Sequence, residues 1–70
     1  MDMQHIGKRI KELRIENGLS QENFGKELSV SQDTVSLWEN GKSLPTVEFL
    51  IAIAKRFNVS TDYIVCLTDY

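Results

Sequence analysis

The chain has 70 residues, 41% of them hydrophobic and 26% charged, with a formal net charge of −2 at neutral pH. That length allows one domain with a thin core, and the balance of apolar and charged residues fits a folded, soluble chain rather than a disordered one. A single cysteine, Cys66, excludes an internal disulfide framework and a four-ligand zinc site; no apolar run approaches the ~20 residues of a membrane span, and Met1–His5 lacks a signal-peptide pattern, so the expected setting is a reducing cytoplasm.

Gly18, Gly41 and Pro45 punctuate a chain without internal repeats. The first helix is predicted from about Gln4 to Asn17, because Ile6, Ile10 and Leu13 recur at i, i+4 and i+7. Asn17-Gly18 ends it, with glycine suited to the left-handed position after a helix. Ser20 caps a second helix over about Gln21 to Leu28, with Phe24 and Leu28 inward. Asn23 stands where Glu or Gln would complete a capping box. Gly25 costs about 1 kcal/mol relative to alanine inside a helix, so its place there implies a close backbone neighbour.

Ser29-Val30-Ser31 forms a turn, and Ser31 caps a third helix that runs to about Asn40, where Gly41 stops it. Trp38 is assigned to the core beside Phe24 and Leu50. Thr46 caps a fourth helix with Glu48 in its first turn and Leu50, Ile53, Ala54 and Phe57 along its inner stripe. Lys55 and Arg56 lie at its end, and Asn58 can adopt the left-handed turn that closes it. Ser60 or Thr61 caps a short last helix, with Asp62 in its first turn and Tyr63, Ile64 and Leu67 available for packing. The fold class is therefore all-α. Phe49, Ile51, Val65 and Tyr70 do not all fit an inner stripe; they either line a dimer contact or form the apolar surface that small proteins expose.

Three runs carry a family resemblance: Leu19-Ser20-Gln21-Glu22-Asn23-Phe24-Gly25, then Val30-Ser31-Gln32, then Val35 to Lys42. With Phe57 to Ile64, their order and spacing closely resemble the Cro/C1-type helix-turn-helix family of phage repressors and bacterial transcriptional regulators, over about Ile6 to Leu67. The resemblance implies a five-helix, lambda-repressor-like DNA-binding domain over 1–70, with the helix-turn-helix unit at about 20–40. It also implies a salt bridge between Arg14 and Glu39. Gly25 would sit where the second and third helices come close.

At about 100° per residue, Gln32, Asp33, Ser36, Leu37 and Asn40 share one side of the third helix, and Thr34, Val35 and Trp38 share the other. The outward set matches the positions with which the family reads bases. Gln32 can bond an adenine edge, Asp33 can accept from a cytosine amino group, Ser36 can donate or accept, and Leu37 can touch a thymine methyl. By the resemblance, Leu37 fills a position often held by a long polar or basic side chain. Gln21 would hold a phosphate at the start of the second helix and, by the resemblance, brace Gln32. Asn40, Lys42 and the backbone amides of Lys42 and Ser43 would clamp a second phosphate, fixing register without carrying sequence information.

The net negative charge counts against a nucleic-acid partner, but Lys8, Arg9, Lys11 and Arg14 cluster near the N-terminus and leave a local positive face open. One histidine, one cysteine and no Gly-rich phosphate loop leave little from which to build an enzyme, and neither a cofactor nor a metal is expected. His5 reads as solvated and Cys66 as packed or partly exposed without function. The expected function is that of a homodimeric repressor whose third helices enter successive major grooves of double-stranded DNA, at operator half-sites about 34 Å apart. The rival is an antitoxin or protein-interaction module on the same fold, holding a toxin or effector protein; the acidic balance, Asp33 and Leu37 are its motives. A third expectation is a fragment of a longer regulator. No membrane role is expected.

Overall fold

In the computed structural model, which describes residues 2–68, every helix starts on an oxygen-bearing side chain and stops at a residue of positive φ. The helices are α1 (Met3–Glu16), α2 (Gln21–Leu28), α3 (Gln32–Glu39), α4 (Val47–Phe57) and α5 (Thr61–Ile64). Asp2, Ser20, Ser31, Thr46 and Ser60 each accept a backbone N–H of the first turn, satisfying donors that the helix itself leaves unpaired. At the other ends Gly18, Ser29, Gly41, Asn58 and Cys66 take φ between 57° and 71°. In each case the next amide donates back five residues: Leu19 to Arg14, Val30 to Gly25, Lys42 to Leu37, Val59 to Ala54 and Leu67 to Asp62, at 2.8–3.2 Å. These are Schellman closures, and they satisfy carbonyls the helix cannot.

Because Asp2 is the first cap, α1 begins at Met3 rather than Gln4, and Asn17 and Asn40 are C-caps rather than helical residues. Ser60, not Thr61, caps α5. The left-handed Cys66 turns the chain outward, so Leu67, expected to pack, is 70% exposed.

One core joins the helices: Ile6, Ile10 and Leu13 from α1, Phe24 and Leu28 from α2, Val35 and Trp38 from α3, Ile53 and Phe57 from α4, and Ile64 from α5. Phe24 and Phe57 stack with centroids 5.2 Å apart. The aromatic neighbour of Trp38 is Phe49, tilted at 5.6 Å. Of the four apolar residues that do not all fit an inner stripe, Phe49 and Val65 are partly buried against this core, Ile51 stays exposed, and Tyr70 lies outside the described residues.

Two glycines set how closely backbones approach. A Cβ on Gly25 would lie 2.6 Å from the Val30 carbonyl oxygen, so its tight neighbour is the turn leading into α3. A Cβ on Gly7 would overlap the Trp38 carbonyl oxygen and stand 2.9 Å from that of Glu39, which fixes the crossing of α1 and α3. Polar links then tie the helices. Arg9 donates to the Tyr63 carbonyl at 2.7 Å and lays its guanidinium over the Tyr63 ring at 4.2 Å, joining α1 to α5. Arg56 grips Glu27 through two bonds of 2.6 and 2.9 Å, joining α4 to α2. No helix among the described residues is long and apolar enough to cross a membrane.

Candidate nucleic-acid interface

α3 packs on α1 and α2. Its inner side is sealed, with Val35 and Trp38 both buried. Thr34 is half-buried and its hydroxyl meets that of Ser31 at 3.1 Å, beside the N-cap bond to its amide. On the other side Gln32 and Asp33 are exposed, Leu37 is 47% exposed and Ser36 is half-buried. Asn40 extends this side by one turn, and its side-chain amide donates to Ser36 Oγ at 3.2 Å.

Behind the C-terminal end of α3 lies a charged knot. Glu39 Oε2 accepts from Arg14 Nε at 2.7 Å, and Oε1 accepts from Arg14 Nη2 and from Gln21 Nε2, each at 3.1 Å. Arg14 Nη1 also donates to the Leu19 carbonyl at 2.9 Å. The side chains of Arg14 and Glu39 are only 13% and 2% exposed. Three elements thus converge on one nearly sealed carboxylate: α1, the N-terminus of α2 and the end of α3.

Two expectations change here. The Gln21 amide donates to Glu39 Oε1, and no hydrogen bond joins Gln21 to Gln32 among the described residues. The backbone amides of Lys42 and Ser43 do not stand free for a phosphate: both donate to the Leu37 carbonyl, at 2.9 and 3.4 Å, where Gly41 folds the chain back over the helix end. The exposed Asn40 and Lys42 side chains and the half-buried Ser43 remain at this corner.

The N-terminal basic cluster is also divided. Arg9 and Arg14 turn inward, while Lys8 and Lys11 face solvent. Arg56 and Glu27 hold each other charged: their mutual hydrogen bonds raise the guanidinium pKa and lower that of the carboxyl. All three arginines are thereby engaged within the protein, and the five lysines lie on the surface, Lys26 beside Glu22 at 3.7 Å. His5 is exposed 3.5 Å from Asp2, Cys66 is an exposed free thiol, and no metal-holding group of side chains occurs among the described residues.

Sequence reasoning passed over Gly7 and the inward turn of Arg9. Gly7 was detectable by the signal that singled out Gly25, a glycine inside a helix next to inner-stripe residues. Arg9 carried no such signal, because a cation beside a predicted inner stripe reads equally well as solvated.

Residues 10–64 match the helix-turn-helix family. The chain is 40% identical over 55 residues to the antitoxin PezA of Streptococcus pneumoniae, covering 79% of this chain and 35% of that protein. It is 37% identical over 57 residues to the transcriptional activator BcrR of Enterococcus faecalis, covering 81% and 28%. The chain therefore spans about a third of these relatives' length. Among solved structures, the c2 repressor of Salmonella phage P22 in complex with a synthetic operator superposes with a TM-score of 0.79 at 34% identity, over 84% of this chain and 89% of that one. By its matched residues, its five helices and these relatives, the chain belongs to the helix-turn-helix family of transcriptional regulators, in its Cro/C1 type.

Proposed function

We propose that this chain binds double-stranded DNA sequence-specifically through α3 in the major groove, and represses transcription by occupying an operator. One observation carries the reading: α3 buries Val35 and Trp38 while Gln32, Asp33 and Leu37 stand open on the opposite side around Ser36. A major groove about 12 Å wide admits such a helix. There Gln32 pairs with an adenine edge, Asp33 accepts from a cytosine amino group, Leu37 meets a thymine methyl and Ser36 bonds a base edge. The side chains of Gln21, Asn40, Lys42 and Ser43 are assigned to the phosphates that fix register. The Arg14–Glu39 pair holds the end of α3 in place for this contact. Similarity to a repressor solved on its operator supports the assignment.

Leu44, just before α4, and Val47 and Ile51 within it are exposed apolar side chains that a second copy of the chain would cover. A symmetric dimer would set two α3 helices into successive major grooves about 34 Å apart.

Selection from a random duplex pool tests the reading. The expected product is a motif of two half-sites, with retention falling steeply as salt rises. Gln32→Ala is expected to cost about 1–3 kcal/mol on the selected site and to relax one base pair. Folded protein that retains no duplex at low salt and micromolar concentration overturns the proposal. If that protein instead co-purifies with a partner protein, the fold serves as a protein-interaction module.

A further inference from the structure

Resting on the reading of α3 above, we infer that Asn40 sets the hydrogen-bonding sense in which Ser36 meets a base. The Asn40 side-chain amide donates to Ser36 Oγ across one helical turn at 3.2 Å. A serine hydroxyl has one proton to give and lone pairs with which to accept. With Nδ2 directed at the oxygen, one lone pair is taken and the hydroxyl proton is left for a partner other than Asn40. Ser36 then acts as a donor. Its partners are acceptor edges: guanine O6 or N7, adenine N7 or thymine O4. The amino groups of cytosine and adenine are less favoured, because they too are donors and compete with Asn40 for the lone pairs of the same oxygen.

The same amide has a second N–H, which remains for a phosphate oxygen. One side chain thus links a backbone contact, which fixes register, to the sense of a base contact, which carries sequence. A carboxylate at this position would act in reverse. It only accepts, so it would draw the Ser36 proton toward itself and leave the hydroxyl oxygen facing the base as an acceptor.

The experiment is parallel selection from a random duplex pool with wild type, Ser36→Ala, Asn40→Ala and Asn40→Asp, each checked for helical content and thermal midpoint. The wild type is expected to favour an acceptor edge at one base pair by about two- to tenfold, the value of a single net hydrogen bond. Ser36→Ala identifies that base pair by flattening it, and Asn40→Ala flattens the same pair. Asn40→Asp moves its preference toward an exposed amino group. Phosphate repulsion by the new carboxylate adds a loss of affinity that is uniform across sequences and so separable from the shift. A wild type that selects no sequence overturns the reading of α3 and this inference with it. A wild type that selects, with the Ser36 pair unchanged in both Asn40 variants, overturns the inference alone.

Discussion

Two arginine–glutamate pairs of nearly the same length join helices in this protein, one between α1 and α3 and one between α4 and α2. Arg14 meets Glu39 at 2.7 and 3.1 Å, and Arg56 meets Glu27 at 2.6 and 2.9 Å. Distance does not separate them; water does. The first pair is 13% and 2% exposed and shares its carboxylate with Gln21, whereas the second is 50% and 32% exposed. An exposed pair exchanges hydration for an attraction that solvent and salt weaken. A buried pair has already lost its hydration, so removing one member leaves a charge that nothing else compensates. The lesson is that the inner pair is a condition of the fold, while the outer one adjusts it.

The largest test of this contrast is Arg14→Met, which strands the Glu39 carboxylate and is expected to destabilise by about 3–5 kcal/mol in urea unfolding. That is a large share of the stability a domain of this size holds. Gly7→Ala comes next. Its new methyl group meets the carbonyls of Trp38 and Glu39, and separating α1 from α3 should cost about 1–3 kcal/mol. A neutral Gly7→Ala would mean that the two backbones can part without disturbing the inner pair. Arg56→Met should lose several-fold less than Arg14→Met, and the loss should shrink in about 1 M salt, where screening acts within about 3 Å. Equal losses at the two arginines would break the comparison outright. The smallest effect concerns pH. Because Arg56 holds the Glu27 carboxyl below its ordinary range, the pair's contribution is complete at neutral pH and fades as pH falls through the carboxylate range. Glu27→Gln should therefore flatten the acid side of the stability curve, read as thermal midpoint against pH.

The helices were legible because their ends are chemically marked. Ser20, Ser31 and Thr46 announced three starts, and Gly18, Gly41 and Asn58 announced three stops. Asp2 was missed as a cap because it lies so close to the chain start, and Ser29 and Cys66 because neither residue type signals a left-handed turn. The division of α3 was equally open to reading, since Val35 and Trp38 recur at helical spacing. What composition and periodicity could not supply was the competition for hydrogen bonds. Gln21 has several possible acceptors in the sequence, and only the fold brings Glu39 to it. Likewise, the loop amides at Lys42 and Ser43 look free until Gly41 folds them onto Leu37.

The engagement of Arg9, Arg14 and Arg56 by partners within the protein has a consequence for how the surface grips a polyanion. A guanidinium fork locks two oxygens at once and penalises small misalignments, whereas an ammonium group is a rotatable point charge that tolerates them. On the DNA reading proposed here, Lys8, Lys11 and Lys42 offer contacts of the second kind. Such a surface can scan along a duplex loosely, and the decision to stop is left to the short side chains of α3.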